Sequence, residues 1–430
     1  MFKAWANAWS LPDMRKKMVF TAVILLVFRF GCVLPVPYVD GQAIQEWFST
    51  STTGTMLSFF NILSGTSFSQ ATLFALSVTP YITASIVMQL LTIAIPYLER
   101  LAKDGGEEGK KKITQYTRVC TVALALLTSF GYYMTLRNTN CLSDNSFFAG
   151  VVIVACHCAG AALIMWMGEK INENGIGNGI SMILFANIIS SMPSMLYPIV
   201  ASVAQGGIVM VAMYALIAVL LVLIIGFIVF MTNSERRIPV QYAKKVVGRK
   251  MYGGQSTHLP IKLDMAGVMP VIFANSILML PSTIAMFFPT PAKGSFWEGL
   301  LNFFSASSIW YALILLVLIV AFNYFYLSIS FNPVEVANNL KKNGGFIPGV
   351  RPGKPTSDFI NKSLKKVTLL GSFFLALIAV LPMVINALGI SLGAFTFGGT
   401  SMLILVGVIL ETTRDLESQV TMRHYKGFLD

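Results

Sequence analysis

Ten long apolar runs limit this chain to a narrow choice of folds. A helix needs about 20 apolar residues to cross ~30 Å of hydrocarbon, and only 12% of the 430 residues are charged, against about 25% in soluble domains. We therefore predict an all-α polytopic membrane protein with ten transmembrane helices. The runs cover residues 18–38, 72–95, 116–137, 148–168, 179–200, 207–231, 265–288, 307–329, 366–388 and 397–413.

The positive charges predict the topology. With the N-terminus inside and ten spans, 27 of the 31 Lys and Arg residues fall in segments on one side, as the positive-inside rule requires of the cytoplasmic side. The exceptions are Arg29, Arg118, Arg137 and Lys293. Both termini are thus predicted to be cytoplasmic. These charges could serve only to orient the spans and attract anionic lipid, but that would not explain two polar loops as long as 232–262 and 330–365.

Two short echoes indicate an internal repeat. TPYITASI in span two aligns with MPVIFANSI in span seven on Pro80 and Pro270, and GISMIL in span five aligns with GTSMLI in span ten on Gly179 and Gly399. Pairing two with seven and five with ten is what a duplication of five spans requires, and an odd number of spans makes the halves inverted. The predicted halves are 1–192 and 207–430, joined by a hinge loop at 193–206.

Residues 56–70, MLSFFNILSGTSFSQ, are apolar but too short and too rich in Ser, Thr and Gly to cross a bilayer. A re-entrant half-helix that folds back into the protein is the natural interpretation. The alternative is an amphipathic stretch lying on the outer surface.

The spans offer aliphatic rather than ionisable groups to a transport path. Asp264 and Glu411 lie at inner ends, no Asp or Glu lies mid-span, and Arg29 is the one obvious mid-span charge, snorkelling or paired near a helix end. A secondary transporter, the main alternative, should carry a polar or charged site at mid-membrane. The repeat-matched positions are Ile82, Leu184, Ile272 and Ile404. Converging aliphatic side chains would form a constriction that excludes ions by dewetting, although such residues usually face lipid or pack between helices.

An enzyme is a poor fit to this sequence. Only three His residues are present, and no nucleophile–base set is evident within the spans. The adjacent Cys156, His157 and Cys158 point about 100° apart on a helix and lack an evident fourth metal ligand. We expect no catalytic residues, no metal and no cofactor.

Seven ordered blocks resemble the SecY family of bacterial protein-conducting channels, over essentially the whole chain. They are PVPYVD at 35–40, TPYITASIVMQLL at 79–91, GIGNGIS at 175–181, QSTHLPIKLDMAGVMPVIFA at 255–274, FNPVEVANNLKK at 331–342, FIPGVRPGK at 346–354 and FGGTSMLI at 397–404. The resemblance implies an hourglass channel in a bacterial plasma membrane, which passes unfolded secretory polypeptides and releases apolar segments sideways into lipid.

The resemblance also implies roles for particular residues. The waist would be a ring formed by Val78, Ile82, Ile180, Leu184, Ile272 and Ile404. The re-entrant helix would be a plug that includes Phe59, Phe60, Asn61, Ile62, Leu63 and Gly65. A lateral gate between spans two–three and seven–eight would be lined by Thr83, Ser276 and Leu280.

Since the sequence contains no nucleotide-binding motif, the resemblance assigns the driving force to a partner. That partner would be the ATPase SecA or a translating ribosome, docking on the two long inner loops. Arg249, Lys250 and Arg351 match the family's contact positions, and cations there suit a phosphate backbone. The resemblance further implies SecE as a clamp around the halves, and SecG as a peripheral subunit.

Overall fold

The computed structural model describes residues 2–50, 58–205, 208–242, 245–247, 250–252, 256–288, 296–304, 308–387 and 399–426. Over these residues the chain forms 17 α-helices and five short β-strands. The first ten helices are α1 Phe2–Ser10, α2 Pro12–Gly31, α3 Gly41–Thr50, α4 Ser58–Leu63, α5 Thr79–Ala94, α6 Pro96–Lys103, α7 Gly106–Asn138, α8 Phe147–Asn174, α9 Gly179–Gln205 and α10 Ile208–Asn233. The others are α11 Met269–Leu278, α12 Leu280–Ala285, α13 Phe296–Phe303, α14 Ile309–Ser330, α15 Pro333–Lys342, α16 Lys354–Ala387 and α17 Gly399–Lys426.

Every one of the ten apolar runs overlaps a helix in the described part of the chain. By length and composition, four described helices are apolar enough to cross a membrane: α7, α8, α14 and α16. A fifth is obtained if α5 and α6, which meet at a bend of 104°, count as one span. The structure therefore establishes a helical protein with several apolar helices.

Span two begins later than predicted. The apolar run starts at 72, but the helix starts at Thr79 because the residues before it cannot be helical. Thr66, Ala71 and Ser77 have φ of 73°, 44° and 51°, in the left-handed region that interrupts a right-handed helix. Pro80 then occupies the first turn of α5, where its missing N–H costs nothing.

Spans five and seven also differ from the predicted pattern. The described part of the predicted hinge, 193–205, continues α9 as helix and is not a loop; the helix ends directly before Gly206-Gly207. Span seven is interrupted at Met279, between α11 and α12, and Pro281 lies in the first turn of α12. Since proline cannot donate to the preceding turn, it favours such a break.

The long inner loops are not purely irregular, a local feature that the prediction of an all-α membrane protein did not include. β1 Glu235–Tyr242 pairs antiparallel with β4 Ser256–Lys262, and β5 Gly345–Phe346 pairs with the end of β1 through Gln241↔Phe346. β2 Lys245–Val247 and β3 Lys250–Tyr252 form a separate hairpin. Loops 232–262 and 330–365 therefore share one three-stranded sheet, although about 100 residues separate their strands in sequence.

Side-chain alternation explains the sheet. Ile238 and Val240 are buried while their neighbours Arg237, Pro239 and Gln241 are not, the period-two pattern of a strand with one covered face. The covered face packs on Ile360 and other residues at the start of α16 in a small hydrophobic cluster. The main core is separate and lies among α2, α5, α8, α9, α11, α14, α16 and α17.

Candidate functional site

All six predicted ring residues are buried, and all belong to one continuous hydrophobic cluster. Each is at most 9% exposed, and the cluster also contains Leu63 at the end of α4. Val78 directly precedes α5, and the other five predicted ring residues lie in the first two turns of α5, α9, α11 and α17. The structure thus places all six predicted residues in the main hydrophobic cluster, namely Val78, Ile82, Ile180, Leu184, Ile272 and Ile404.

The repeat-matched positions of spans two and seven have matching local structure. Val78 and Val268 each precede their helix with nearly the same backbone angles. The amides of Ile82 and Ile272 donate to these valine carbonyls at 3.0 and 3.1 Å. A proline in the first turn of each helix leaves one fewer unpaired N–H in the core. Each helix thereby begins inside the hydrophobic cluster and places an isoleucine there.

Spans five and ten match through their first glycines. A Cβ on Gly179 would collide with the carbonyl oxygen of Gly168 in α8, and one on Gly399 would collide with that of Ile378 in α16. Each glycine therefore lets its helix start against the backbone of the helix that precedes it. Leu184 and Ile404, each five residues further on, are 2% and 1% exposed.

The predicted plug segment contains only a short helix. α4 covers six residues, and the chain then turns from Ser64 until α5; residues 56 and 57 and the side chain of Phe59 lie outside the described part. Phe60 packs between the main cluster and a second one, and its ring stacks at 5.8 Å from that of Phe68. Asn61 and Ile62 are half-buried, while Leu63 and Gly65 are buried.

The end of α4 is held by polar groups that sequence reasoning did not identify. The Asn187 amide donates to the Leu63 carbonyl at 2.7 Å, and the Ser77 hydroxyl donates to the same oxygen at 3.0 Å. The Arg29 guanidinium, predicted to pair near a helix end, donates to the Gly65 carbonyl at 3.5 Å. The sequence could have indicated this contact through Asn187, a polar residue within an apolar helix. A buried side-chain amide needs a hydrogen-bond partner.

Residues 67–76, the end of the predicted plug segment and the chain that follows it, are fastened to other parts of the structure. The Tyr132 hydroxyl of α7 donates to the Phe68 carbonyl at 2.6 Å, and the ring of Phe74 stacks on Phe28 of α2 at 5.5 Å. The Leu73 amide donates to the Leu34 carbonyl at 2.9 Å. This part is held by the Tyr132 hydroxyl, a backbone bond and an aromatic stack, and the α4 end by side-chain donors together with the packing of Phe60 and Leu63.

The predicted gate residues lie on neighbouring helices. Thr83 is on α5 and Ser276 on α11, helices that contact one another. Both hydroxyls donate to the carbonyl four residues earlier in their own helix, at 3.0 and 2.9 Å, so they do not bond across the contact. Leu280 begins α12 and is 45% exposed.

Direct contacts across this helix boundary come from other residues. At one end, the Tyr326 hydroxyl of α14 donates to the Gln89 side-chain carbonyl of α5 at 2.7 Å. At the other, the Thr135 hydroxyl of α7 donates to the Met286 carbonyl at 3.3 Å. These bonds join α5 to α14 and α7 to the residue that follows α12, so a hydrogen bond crosses the boundary near each end.

Of the predicted docking residues, Arg351 is the one whose side chain is described. It is exposed in a turn between Gly349 and Gly353, whose φ values of 82° and 105° suit glycine alone. The Thr356 hydroxyl donates to the Arg351 carbonyl at 2.8 Å, and the buried Ile347 anchors the loop under the sheet. Lys250 begins β3, and Arg249 lies outside the described residues.

A small cavity of about 280 Å³ lies beside the start of α11. Asp264 lines it, is 7% exposed, and has one carboxyl oxygen without a hydrogen-bond partner among the described residues. Burial raises the pKa of Asp264 to about 6, although the Gly267 amide and the charge of Arg414 oppose the shift. Asp264 precedes the helix and shapes the turn with Gly267, whose φ is 63°.

Comparison with known proteins gives a consistent result. The SecY family profile matches residues 72–413. The protein translocase subunit SecY of Streptomyces griseus is 43% identical over 442 aligned residues, which cover 100% of both chains. The corresponding subunit of Mycobacterium tuberculosis strain H37Rv is 42% identical over 447, with the same coverage.

Solved structures resemble the chain in fold. One is a SecY protein described as having a plug domain that stabilises the closed state of the translocation channel and maintains a membrane seal. It has a TM-score of 0.63 and 17% identity, and covers 94% of this chain and 91% of the other. Another is Sec61 in the canine ribosome-channel complex from the endoplasmic reticulum, with a TM-score of 0.59, 15% identity and the same coverage.

Proposed function

Because this chain belongs to the SecY family, we propose that it is the pore-forming subunit of a bacterial Sec translocon. It passes unfolded polypeptides that carry a signal sequence across the plasma membrane and releases apolar segments sideways into lipid. The observation that carries this proposal is the burial of six aliphatic side chains, each at most 9% exposed, in one hydrophobic cluster near the starts of four helices.

The architecture we propose is ten spans in two inverted five-helix halves, 1–192 and 207–430, hinged near 193–206, with both termini cytoplasmic. The matched proline and glycine environments of spans two and seven, and of five and ten, support the two halves. The distribution of Lys and Arg supports the orientation.

The aliphatic ring acts as a gasket. Such side chains offer no hydrogen bonds to a passing polypeptide, so the chain can slide, while ions face a constriction that sheds water. A secondary transporter would instead need a polar or charged ion-coupling site at this depth, where the six proposed ring residues of this chain are aliphatic.

The segment 56–70 is the plug and closes the ring from the outer side. The packing of Leu63 in the same cluster as the ring residues supports this role. The lateral gate is the boundary of α5 and α7 with α11, α12 and α14, which includes Thr83, Ser276 and Leu280. An apolar signal segment that leaves through the gate gains about 0.8 kcal/mol per buried CH₂, and this gain favours the open state.

The driving force comes from a docked partner, SecA or a ribosome, on the sheet formed by loops 232–262 and 330–365. Arg249, Lys250 and Arg351 contact it, and the exposure of Arg351 in a glycine-flanked turn supports this assignment. The ribosome is the better supported partner, because the Sec61 structure with a similar fold is part of a ribosome–channel complex. SecE and SecG complete the proposed complex.

Cross-linking of a stalled secretory chain tests the channel. Single cysteines at Ile82, Leu184, Ile272 and Ile404 should each cross-link to the translocating polypeptide. Val87→Cys is a matched control, because Val87 lies on the same helix as Ile82 and is 39% exposed. Equal labelling of Val87→Cys and the ring positions would contradict the proposed path.

A further inference from the structure

We propose that Arg29, Ser77 and Asn187 form a plug latch, a set of side-chain donors that holds the C-terminal end of α4 in the closed position. The latch rests on the proposed function in that its effect on conduction requires 56–70 to be the plug. Its mechanical part, the restraint of residues 63–66, does not depend on that role. The three residues come from α2, from the turn before α5 and from α9.

The local structure of α4 explains why outside donors are needed. The Gly65 amide donates to the Ile62 carbonyl at 3.1 Å and the Thr66 amide to the Asn61 carbonyl at 2.9 Å. With Gly65 at φ 63°, this is a Schellman motif. The motif satisfies the carbonyls of residues 61 and 62 but leaves those of Leu63 and Gly65 for other partners.

The latch residues supply those partners in a buried setting. Asn187 is 0% and Ser77 2% exposed, and the Asn187 amide also donates to the Ser77 hydroxyl at 3.0 Å, which fixes that hydroxyl toward Leu63. The positive charge of Arg29 at the carbonyl end of α4 is favourable with the helix dipole. Because a buried carbonyl without a partner is costly, these donors stabilise the end of α4.

The latch side chains leave no room for a larger residue in place of Gly65. A Cβ there would lie 2.7 Å from the Ser190 hydroxyl and 3.0 Å from both the Arg29 guanidinium and the Asn187 side-chain oxygen. The backbone of Gly65 thus lies directly against the latch side chains. These contacts place the latch on one short piece of chain, from Leu63 to Gly65.

The backbone after the latch favours release once the latch breaks. Thr66 and Ser77 both hold left-handed φ values without being glycine, and such residues cost of order 1–3 kcal/mol each unless their surroundings enforce them. Residues 67–76 are also fastened by Tyr132 and Phe28. The Phe68 and Ser69 amides donate to the Ser64 hydroxyl and the Asn61 side-chain carbonyl at 3.0 Å, so we expect the α4 end to loosen while residues 70–76 stay attached.

Hydrogen exchange at the amides of Gly65 and Thr66 tests the latch directly, in the purified full-length complex. Asn187→Leu removes the donor at nearly constant volume and should speed exchange there by roughly 3-fold to 10-fold, the range expected for one hydrogen bond between membrane helices. Asn323→Leu is the matched control, since Asn323 is also 2% exposed and its amide has no partner among the described residues. It should leave exchange at 65 and 66 unchanged.

Further variants separate a latch from a general structural role. Ser77→Ala should act in the same direction as Asn187→Leu, and Arg29→Lys, which keeps a donor and the charge, should perturb exchange less than Arg29→Met. The unfolding midpoint of the complex should stay near that of the wild type. Unchanged exchange in both Asn187→Leu and Ser77→Ala would overturn the latch, and so would an equal effect of Asn323→Leu.

Ion flux through reconstituted complexes distinguishes failure of the latch from failure of the plug. Faster exchange together with increased resting flux supports both. Faster exchange with unchanged flux supports the latch and overturns the plug role of 56–70.

Discussion

The close approach of Gly399 to α16 leads to a quantitative prediction for Gly399→Ala. An ideal Cβ on Gly399 would collide with the Ile378 carbonyl oxygen and lie 2.7 Å from its carbon. An ordinary C···O contact is roughly 3.3 Å. Both Ile378 atoms belong to the backbone and the position of a Cβ is fixed by its own backbone, so no side-chain rotation can relieve the overlap. The start of α17 must move away from α16.

This displacement should lower the free energy of unfolding of the Gly399→Ala variant. Overpacking of a tight interface costs about 1–3 kcal/mol, and the higher helix propensity of alanine, up to about 1 kcal/mol in a helix interior, offsets only part of it. The matched control is Gly226→Ala in α10, where a Cβ would meet nothing within 4 Å. That change should be neutral or stabilising by up to about 1 kcal/mol.

The free energy of unfolding of the purified complex, from detergent titration, measures this difference. Gly399→Ala should be less stable than Gly226→Ala by about 2 kcal/mol, and Gly179→Ala should resemble Gly399→Ala because its Cβ would meet the Gly168 carbonyl. Resting ion flux should also rise, since Ile404 moves with the start of α17. Equal stability of the Gly399 and Gly226 variants would refute the proposed backbone contact.

Three further outcomes are expected. Deletion of 56–70 should raise resting ion flux through reconstituted complexes, and unchanged conductance would count against the plug. Arg351→Glu should impair SecA-driven export far more than membrane insertion of the protein itself, because the side chain is exposed; normal export would exclude the docking role. Asp264 has a folded-state pKa of about 6 against 3.8 ordinarily, so its stabilising contribution is complete below pH 4 and is lost as pH rises through 6. Asp264→Asn should therefore raise unfolding free energy at pH 7.5 by on the order of 1–3 kcal/mol, and a pH profile like that of the wild type would contradict this.

The helices and the burial of four proposed ring residues could be predicted because they depend on local pattern. Apolar length locates a membrane helix whatever its neighbours are. The two echoes in the sequence are enough to select Ile82, Leu184, Ile272 and Ile404, and each of these residues is at most 8% exposed. The other two ring positions, Val78 and Ile180, depend on the family resemblance, since the echoes do not select them.

The parts that could not be predicted depend on contacts between distant residues. Asn187 and Leu63 are 124 residues apart, and no local pattern indicates which carbonyl a buried amide will reach. The late start of α5 depends on left-handed backbone at Ala71 and Ser77, residues that carry no sequence signal for that conformation. The strand β5 has only two residues, too few for a periodicity to reveal.

The sheet changes how force from a docked partner would reach the channel. If loops 232–262 and 330–365 were structurally independent, each would transmit force from a docked partner only to the helices that flank it in sequence. In the structure β1 follows α10 after one residue, β4 leads through Asp264 into α11, and β5 lies between α14 and α16 in sequence. Since β1 pairs with both β4 and β5, a partner that contacts Arg351 acts on a sheet joined to α11 and α14 together. These are two of the helices of the proposed gate, so the β1–β5 pairing connects the proposed docking loop to that gate.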